Sequence, residues 1–465
     1  MLRERAMNAW TRRSFIAAGI GLAGCSRLER PSLPSLYRTT QDHLDQPPLI
    51  VIPGTFGSSL RDTRSGEEVW PRSNSRLLVS NYSSLELDID PATLEPVTHG
   101  VEAYDILEEG LGHDFYSQVL QMLRRAGGYV RCGTCEPPHP GRRNFYVFPY
   151  DFRLDSVTAA RRLHELIERI RGHYGNPRQV VDVLAHSNGG LIARYYVRYG
   201  TAALSESGPF SPTYAGAPAI RRLLQVGTPN LGTIQPVLSF LRGEEVGLRK
   251  IPPEVMATCP APPQIMPHPS VPWLVDPSGN IMSRDLFDIS TWSGGGLGVY
   301  EPHMARRTVE QHGGGASGRR YLGLLREYVA KQLHFGRRFA EALSVPSGPQ
   351  DVLPYVFGGD CEPTLARLVA ESVDGRLHVR ERIADIAKPV ADVDYQSIVF
   401  EPGDTVVTRS SLLGRRSLNI AAPRGETESM RVAHSVFLCE RHHSLMANPS
   451  FQDNLLNALL SADPV

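Results

Sequence analysis

Residues 179–200, QVVDVLAHSNGGLIARYYVRYG, run from an apolar stretch through a knot of small residues into a helical stretch, with no proline between them. A short apolar strand that turns straight into a helix needs cover on both of its faces. The pattern therefore predicts a layered α/β architecture with helices packed on a sheet. Within the knot, Ala185, His186, Ser187, Asn188 and Gly189 almost spell Gly-x-Ser-x-Gly, the frame in which a serine sits on a tight strand-to-helix turn.

The same alternation recurs on either side. LIVIPG at 49–54 reads as a buried strand ending in a tight loop, and HDFYSQVLQMLRRAGGY at 113–129 has helical spacing and a glycine stop. NFYVFPYDFR at 144–153 is a strand breaking into a loop, ARRLHELIERIRGHYG at 160–175 an amphipathic helix, and IRRLLQVGTPNLGT at 220–233 a strand and loop. Such βαβαβ order predicts a mostly parallel sheet, with ligands bound at the carboxyl ends of its strands. Between about 240 and 345 the order breaks into proline clusters, two glycine runs and one long helical stretch, as an insertion over the site would. Regularity returns with DVLPYVFGG at 351–359, YQSIVFEPGDTVV at 395–407 and the closing helix SFQDNLLNALL. The expected organisation is an export signal at 1–25, a linker at 26–46, core at 47–235, a cap or lid at 236–350, and core again at 351–465.

Charge narrows the function classes. Lysine plus arginine and aspartate plus glutamate number 49 each, so nothing draws the chain toward nucleic acid, and it carries no basic stripe. The first 25 residues have a basic opening, the mildly apolar IAAGIGLAG and then Cys25. Arg12 and Arg13 before Ser14 and Phe15 resemble a twin-arginine signal, and LAGC at 22–25 resembles a lipobox whose cysteine is acylated. The expected location is the bacterial cell envelope, either membrane-anchored through Cys25 or periplasmic; a plain cleaved leader is the alternative. In an exported chain, Cys132 and Cys135 read as a local disulfide rather than half of a zinc site, since no second pair accompanies them.

A serine hydroxyl needs a base, and the base needs an orienting carboxylate. For this architecture the expected chain order is serine, acid, histidine. EPGDTVVTRSSL supplies Asp404 just past a strand, and CERHHSLMANPSFQDNLL supplies His442 and His443 before the last helix. His442 is preferred because Leu445, three positions on, can anchor its loop; His443 stays as the alternative. Developing negative charge on a substrate oxygen would be met by the N–H groups of Asn188 and of Phe56 in PGTFGSSL. HGGG at 312–315 spells a known oxyanion motif but follows the serine, where that loop must precede it, so it reads as a cap loop.

These segments resemble the lecithin:cholesterol acyltransferase-like lipases. VIPGTFGSSL, GYVR, PYDFRLD, AHSNGGL, VGTPNLGT and GDTVVTRSSL are similar to the family's ordered motifs between about Leu49 and Leu460. The sequence departs at Ala185, where the family has glycine, and at Phe152, where it has tryptophan. The resemblance implies an α/β-hydrolase fold with a cap, an acyl-serine on Ser187, Asp404 and His442 as its partners, and Phe56 and Asn188 as oxyanion donors. It implies a phospholipid or other lipid ester as substrate, an alcohol, sterol or water as acyl acceptor, work at a membrane surface, and neither metal nor organic cofactor. Tyr150, Asp151 and Arg153 are expected to brace the site. A small-ester or polyester esterase, or a lipid-binding lipoprotein without activity, are the competing expectations.

Overall fold

Successive residues of a strand face opposite sides of a sheet, so a strand apolar at every position must be covered on both sides. β1 (Leu49–Ile52) meets that condition in four residues: Ile50 and Ile52 enter one core, Leu49 and Val51 the other, and none is exposed. The structure, a computed structural model, describes residues 32–38, 40, 46–71, 82–110, 113–246, 249–373, 376–416 and 429–461. Cys25, the rest of the segment expected to be an export signal and most of the expected linker lie outside the described residues.

Six further strands join β1: β2 (Tyr129–Arg131), β3 (Arg143–Val147), β4 (Val181–His186), β5 (Ile220–Val226), β6 (Tyr355–Gly359) and β7 (His434–Leu438). They lie in the order β7-β6-β5-β4-β1-β3-β2, and every neighbouring pair is parallel. Ile52 pairs with Ala185 and His186 with Val226, so the carboxyl ends of β1, β4 and β5 finish nearly level. All the loops that leave those ends open on one edge of the sheet. With helices on both faces this is the α/β-hydrolase fold.

α1 (Ser117–Arg125) packs on the face that carries Leu49, Phe145 and Leu184. α2 (Ser156–His173) and α3 (Asn188–Tyr199) cover the opposite face, which carries Ile50, Tyr146 and Val183. α2 starts where Asp155 accepts the Thr158 N–H at 2.9 Å. All twelve residues of α3 are buried. Its Arg194 and Arg198 donate to the Leu343 carbonyl at 2.7 and 3.0 Å. Burial pulls the Arg194 guanidinium down to about 9, still charged at neutral pH.

Leu343 ends α6 (Gly315–Leu343), so these arginines tie the serine's helix to the long helix of the 235–350 region. α4 (Gln235–Arg242) and α5 (Pro302–Gln311) belong to that region, and α7 (Pro449–Leu460) closes the chain under α1. HGGG at 312–315 is the joint between α5 and α6, with Gly313, Gly314 and Gly315 all at positive φ. The strand before Asp404, Phe400–Gly403, pairs antiparallel with Glu362–Leu365 outside the main sheet. No helix among the described residues is long and apolar enough to cross a membrane.

The cysteine expectation is corrected. Cys132 and Cys135 are both unbonded, and the disulfide joins Cys361 to Cys439. Cys132 continues the β2–β3 ladder through its N–H to the Phe145 carbonyl at 2.8 Å, which turns its sulfur into the core, 3.3 Å from the Pro137 oxygen. Cys135 stands exposed on the next turn. Cys439 follows β7 directly, Cys361 lies two residues past the end of β6, and those two strands are neighbours. The bridge spans 78 residues of sequence, and a loop of that length gains about 4 kcal/mol from the lost freedom of the unfolded chain. The Cys361→Ala/Cys439→Ala double variant is therefore expected to unfold about 4 kcal/mol more easily in denaturant, whereas Cys135→Ser should leave the midpoint unchanged.

Candidate active site

Ser187 follows the last residue of β4 and precedes the first of α3. Its backbone stands at φ 52°, ψ −125°, a conformation that only glycine adopts freely, and such a strained residue costs about 1–3 kcal/mol. The surroundings hold it there. Its N–H donates to the Val226 carbonyl at 2.8 Å, and Gly54, Gly189 and Gly190 leave no room for side chains around it. A Cβ on Gly54 would stand 2.7 Å from the Ser187 Cβ; one on Gly189 would stand 2.6 Å from the Pro53 carbonyl. Ala185 lies two residues before Ser187, inside the strand, where its methyl is buried beside Ile52.

The structure brings Ser187, His442 and Asp404 into one chain. Ser187 Oγ is 3.1 Å from His442 Nε2, and His442 Nδ1 is 2.8 Å from an Asp404 carboxylate oxygen. The other Asp404 oxygen accepts the N–H groups of Val406 and Val407 at 3.0 and 2.7 Å. An acceptor-only carboxylate on one side places the imidazole proton on Nδ1 and leaves the Nε2 lone pair toward the serine. The Asp404 carbonyl also accepts the His442 N–H at 2.7 Å, which joins the two loops through main chain. His442 is buried and Leu445 is fully so, whereas His443 is exposed at the same cavity with its ring edge-on to Phe115.

Phe56 follows β1 with φ 63°, and its carbonyl accepts Trp70 Nε1 at 2.9 Å. That bond ties down the turn that carries its N–H. Among the described residues, neither the Phe56 nor the Asn188 N–H is donated to a protein acceptor. The Asn188 side chain is turned beneath the site, where Nδ2 donates to Tyr150 Oη at 3.2 Å. Asp151 and Arg153 form a buried two-bond pair at 2.7 and 2.9 Å, so PYDFR props the loop instead of offering free charge.

Three further contributors escape a reading by motif. Tyr116 Oη accepts the Gly54 N–H at 2.8 Å and lies 2.9 Å from His186 Nδ1. Tyr116 Oη thus bridges the β1 loop and His186, whose ring is tilted against His442 at 4.9 Å between centroids. Burial first, then the neighbouring His442 and His443, hold His186 well below the usual histidine range, so it is neutral. Gly227, at φ 55° just past β5, leaves room for the His442 ring, since a Cβ there would stand 2.9 Å from it. Only His186, beside the serine in sequence, carried any local signal.

Over these groups lies a cavity of about 280 Å³, walled by the β1 and β4 loops below and by residues 233–265 above. Its walls are chiefly apolar, with Phe56, Phe152, Ile251, Val255 and Met256 among them. Among the described residues no group of three His, Cys, Asp or Glu side chains could hold a metal ion.

The family model of lecithin:cholesterol acyltransferase matches residues 96–278. Over that span the chain is similar to that family. The matched stretch holds Ser187, Asn188 and most of the cavity roof; Phe56, Asp404 and His442 lie outside it. No curated protein sequence matches the chain significantly. Among solved structures, the Tle4-Tli4 complex contains a chain that aligns with a TM-score of 0.56 at 13% identity, over 90% of this chain and 98% of that one. Bacillus licheniformis lipase BlEst2 in its mature form aligns over 90% and 95% at 11% identity, with a TM-score of 0.32, too loosely to add to the argument. The first likeness concerns the fold alone. The family match supports an acyl-ester hydrolase or acyltransferase.

His186 and His268 give the protein an acid-sensitive core. Burial lowers His268 to about 4, with Arg416 and Arg337 adding to the shift. Both rings stay neutral in the folded protein while the unfolded chain takes protons near pH 6.5. Stability is thus fully present above that pH and is lost as pH falls toward the folded values. His268→Gln removes one of these groups: between pH 7 and 5 its stability should fall by about 2 kcal/mol less than wild type in denaturant titrations. Equal losses in the two proteins would contradict the assignment.

Proposed function

We propose that the chain is a serine-dependent lipid acyl-ester hydrolase or O-acyltransferase. The observation that carries this reading is the unbroken Ser187–His442–Asp404 hydrogen-bond chain at the floor of an apolar cavity. In the proposed cycle His442 Nε2 takes the Ser187 proton as Oγ attacks the ester carbonyl, and Asp404 stabilises the resulting imidazolium. The carbonyl oxygen, now negative, would sit between the Phe56 and Asn188 N–H groups. His442 then protonates the departing alcohol, leaving an acyl-serine. An acceptor alcohol or water, deprotonated by His442, resolves the acyl-serine to a new ester or a free acid.

The walls favour an acyl chain over a small polar ester, which supports a lipid substrate over the small-ester reading. The proposed site of action is a membrane surface, reached through an acylated Cys25 after export. Incorporation of labelled palmitate into the full-length chain and not into Cys25→Ala is the test of that anchor.

A fluorophosphonate probe should label wild type and fail on Ser187→Ala. With phosphatidylcholine, and with or without a long-chain alcohol, mass spectrometry should show new ester or free fatty acid that depends on Ser187. Ser187→Ala and His442→Ala are expected to lose roughly 10⁴–10⁶ in kcat, and Asp404→Asn about 10⁴, because it alters the imidazole tautomer. His443→Ala should stay within several-fold of wild type. Full probe reactivity in Ser187→Ala, or none in wild type, would overturn the mechanism.

A further inference from the structure

One wall of the cavity does not fit an apolar chain. Glu244 lines it together with Gln235 and Ser239 of α4. Gln235 Nε2 donates to both Glu244 oxygens at 3.0 and 3.2 Å, and Ser239 Oγ is hydrogen bonded to the second of them. The carboxyl is thereby held in place at the first strand of the Glu244–Val246/Arg249–Ile251 hairpin, yet among the described residues no cation stands within ion-pair distance of it. The positive field that reaches it comes from Arg242, which is itself paired with Glu381. Arg153, the basic side chain that shares the cavity, is committed to Asp151.

A carboxylate has about four acceptor sites, and the two donors leave at least one unused on the cavity side. Glu244 is half-buried in the same cavity wall as Ile251 and Val255, where an acceptor left without a donor is poorly solvated, and desolvation does raise its pKa. A ligand donor would satisfy it, whereas an all-hydrocarbon chain would leave it stranded. Sites built around a buried polar group discriminate strongly against ligands that lack its partner.

We propose that Glu244 is a specificity-determining residue that selects ligands carrying a hydrogen-bond donor, a hydroxyl or a protonated amine, remote from the reacting group. The class so defined includes hydroxylated acyl chains and acceptor alcohols with a second hydroxyl or an amine. The proposal deepens the acyl-ester reading and rests on it for the ligand's other end, but the selection is a binding property and can be measured without turnover.

The experiment is isothermal titration of the full chain with matched alkanols, α,ω-alkanediols and amino alcohols of increasing length. At one chain length wild type should bind the diol or amino alcohol about tenfold more tightly than the plain alkanol. Glu244→Leu should lose that preference and bind the alkanol at least as well as wild type does. Glu244→Gln, which keeps the size and the acceptor oxygen, separates the donors: a hydroxyl preference survives it, an ammonium preference does not. Equal ratios in wild type and both variants would overturn the proposal, as would a wild type that prefers the alkanol at every length. Absence of fluorophosphonate labelling would instead overturn the acyl-serine mechanism and leave the binding ratios readable.

Discussion

The left-handed turn at Ser187 is the constraint on which the rest of the site depends. A serine at φ 52° persists only where its neighbours make every other conformation worse. Here β4 enters the turn paired on both sides, and α3 leaves it buried on all sides. The glycines at 54, 189 and 190 let strand, loop and helix approach within the distance a single Cβ would occupy. The outcome is a hydroxyl lifted above the sheet edge, where side chains from remote loops can reach it.

Those remote loops are held by means unrelated to the elbow. Asp404 is fixed by two main-chain donors of its own turn, and His442 by the Asp404 carbonyl and by Leu445 sunk in the core. The Cys361–Cys439 bridge closes the bases of the two segments just beyond β6 and β7. Gly359 and Gly227 do for this half what the elbow glycines do for the other: a side chain at either would collide with Asp404 or the His442 ring. A covalent tie and buried hydrogen bonds keep a 3.1 Å contact between residues 255 positions apart.

The roof is joined to the floor by buried arginines and not by apolar packing alone. Arg194 and Arg198 reach from α3 to the carboxyl end of α6, and Arg198 also pairs with Asp351 at 2.7 Å, where the chain returns to the sheet. Buried charges of this kind are tolerated because carbonyl and carboxylate acceptors replace the lost water. Cys259, among the roof residues, shows the same environment from the other side: its thiol is pushed up to about 12 by burial and is inert.

The alternation of apolar strands and helical stretches determined the layered parallel sheet by itself, because four consecutive buried residues such as Leu49–Ile52 have no other stable home. The serine's position was equally legible from strand, small residues and helix in a row, and Asp404 and His442 stood out as candidates by their order along the chain. Two short edge strands, Tyr129–Arg131 and His434–Leu438, were not legible, since three to five residues carry too little periodicity. Nor was the cysteine pairing, which depends on β6 and β7 being neighbours and not on the proximity of Cys132 and Cys135 in sequence. Tyr116, Gly227 and the Glu244 cluster became visible only in three dimensions. Sequence fixes what is local, namely periodicity and turn chemistry; which distant side chains meet, and which polar side chain comes to line a cavity, is decided by tertiary packing.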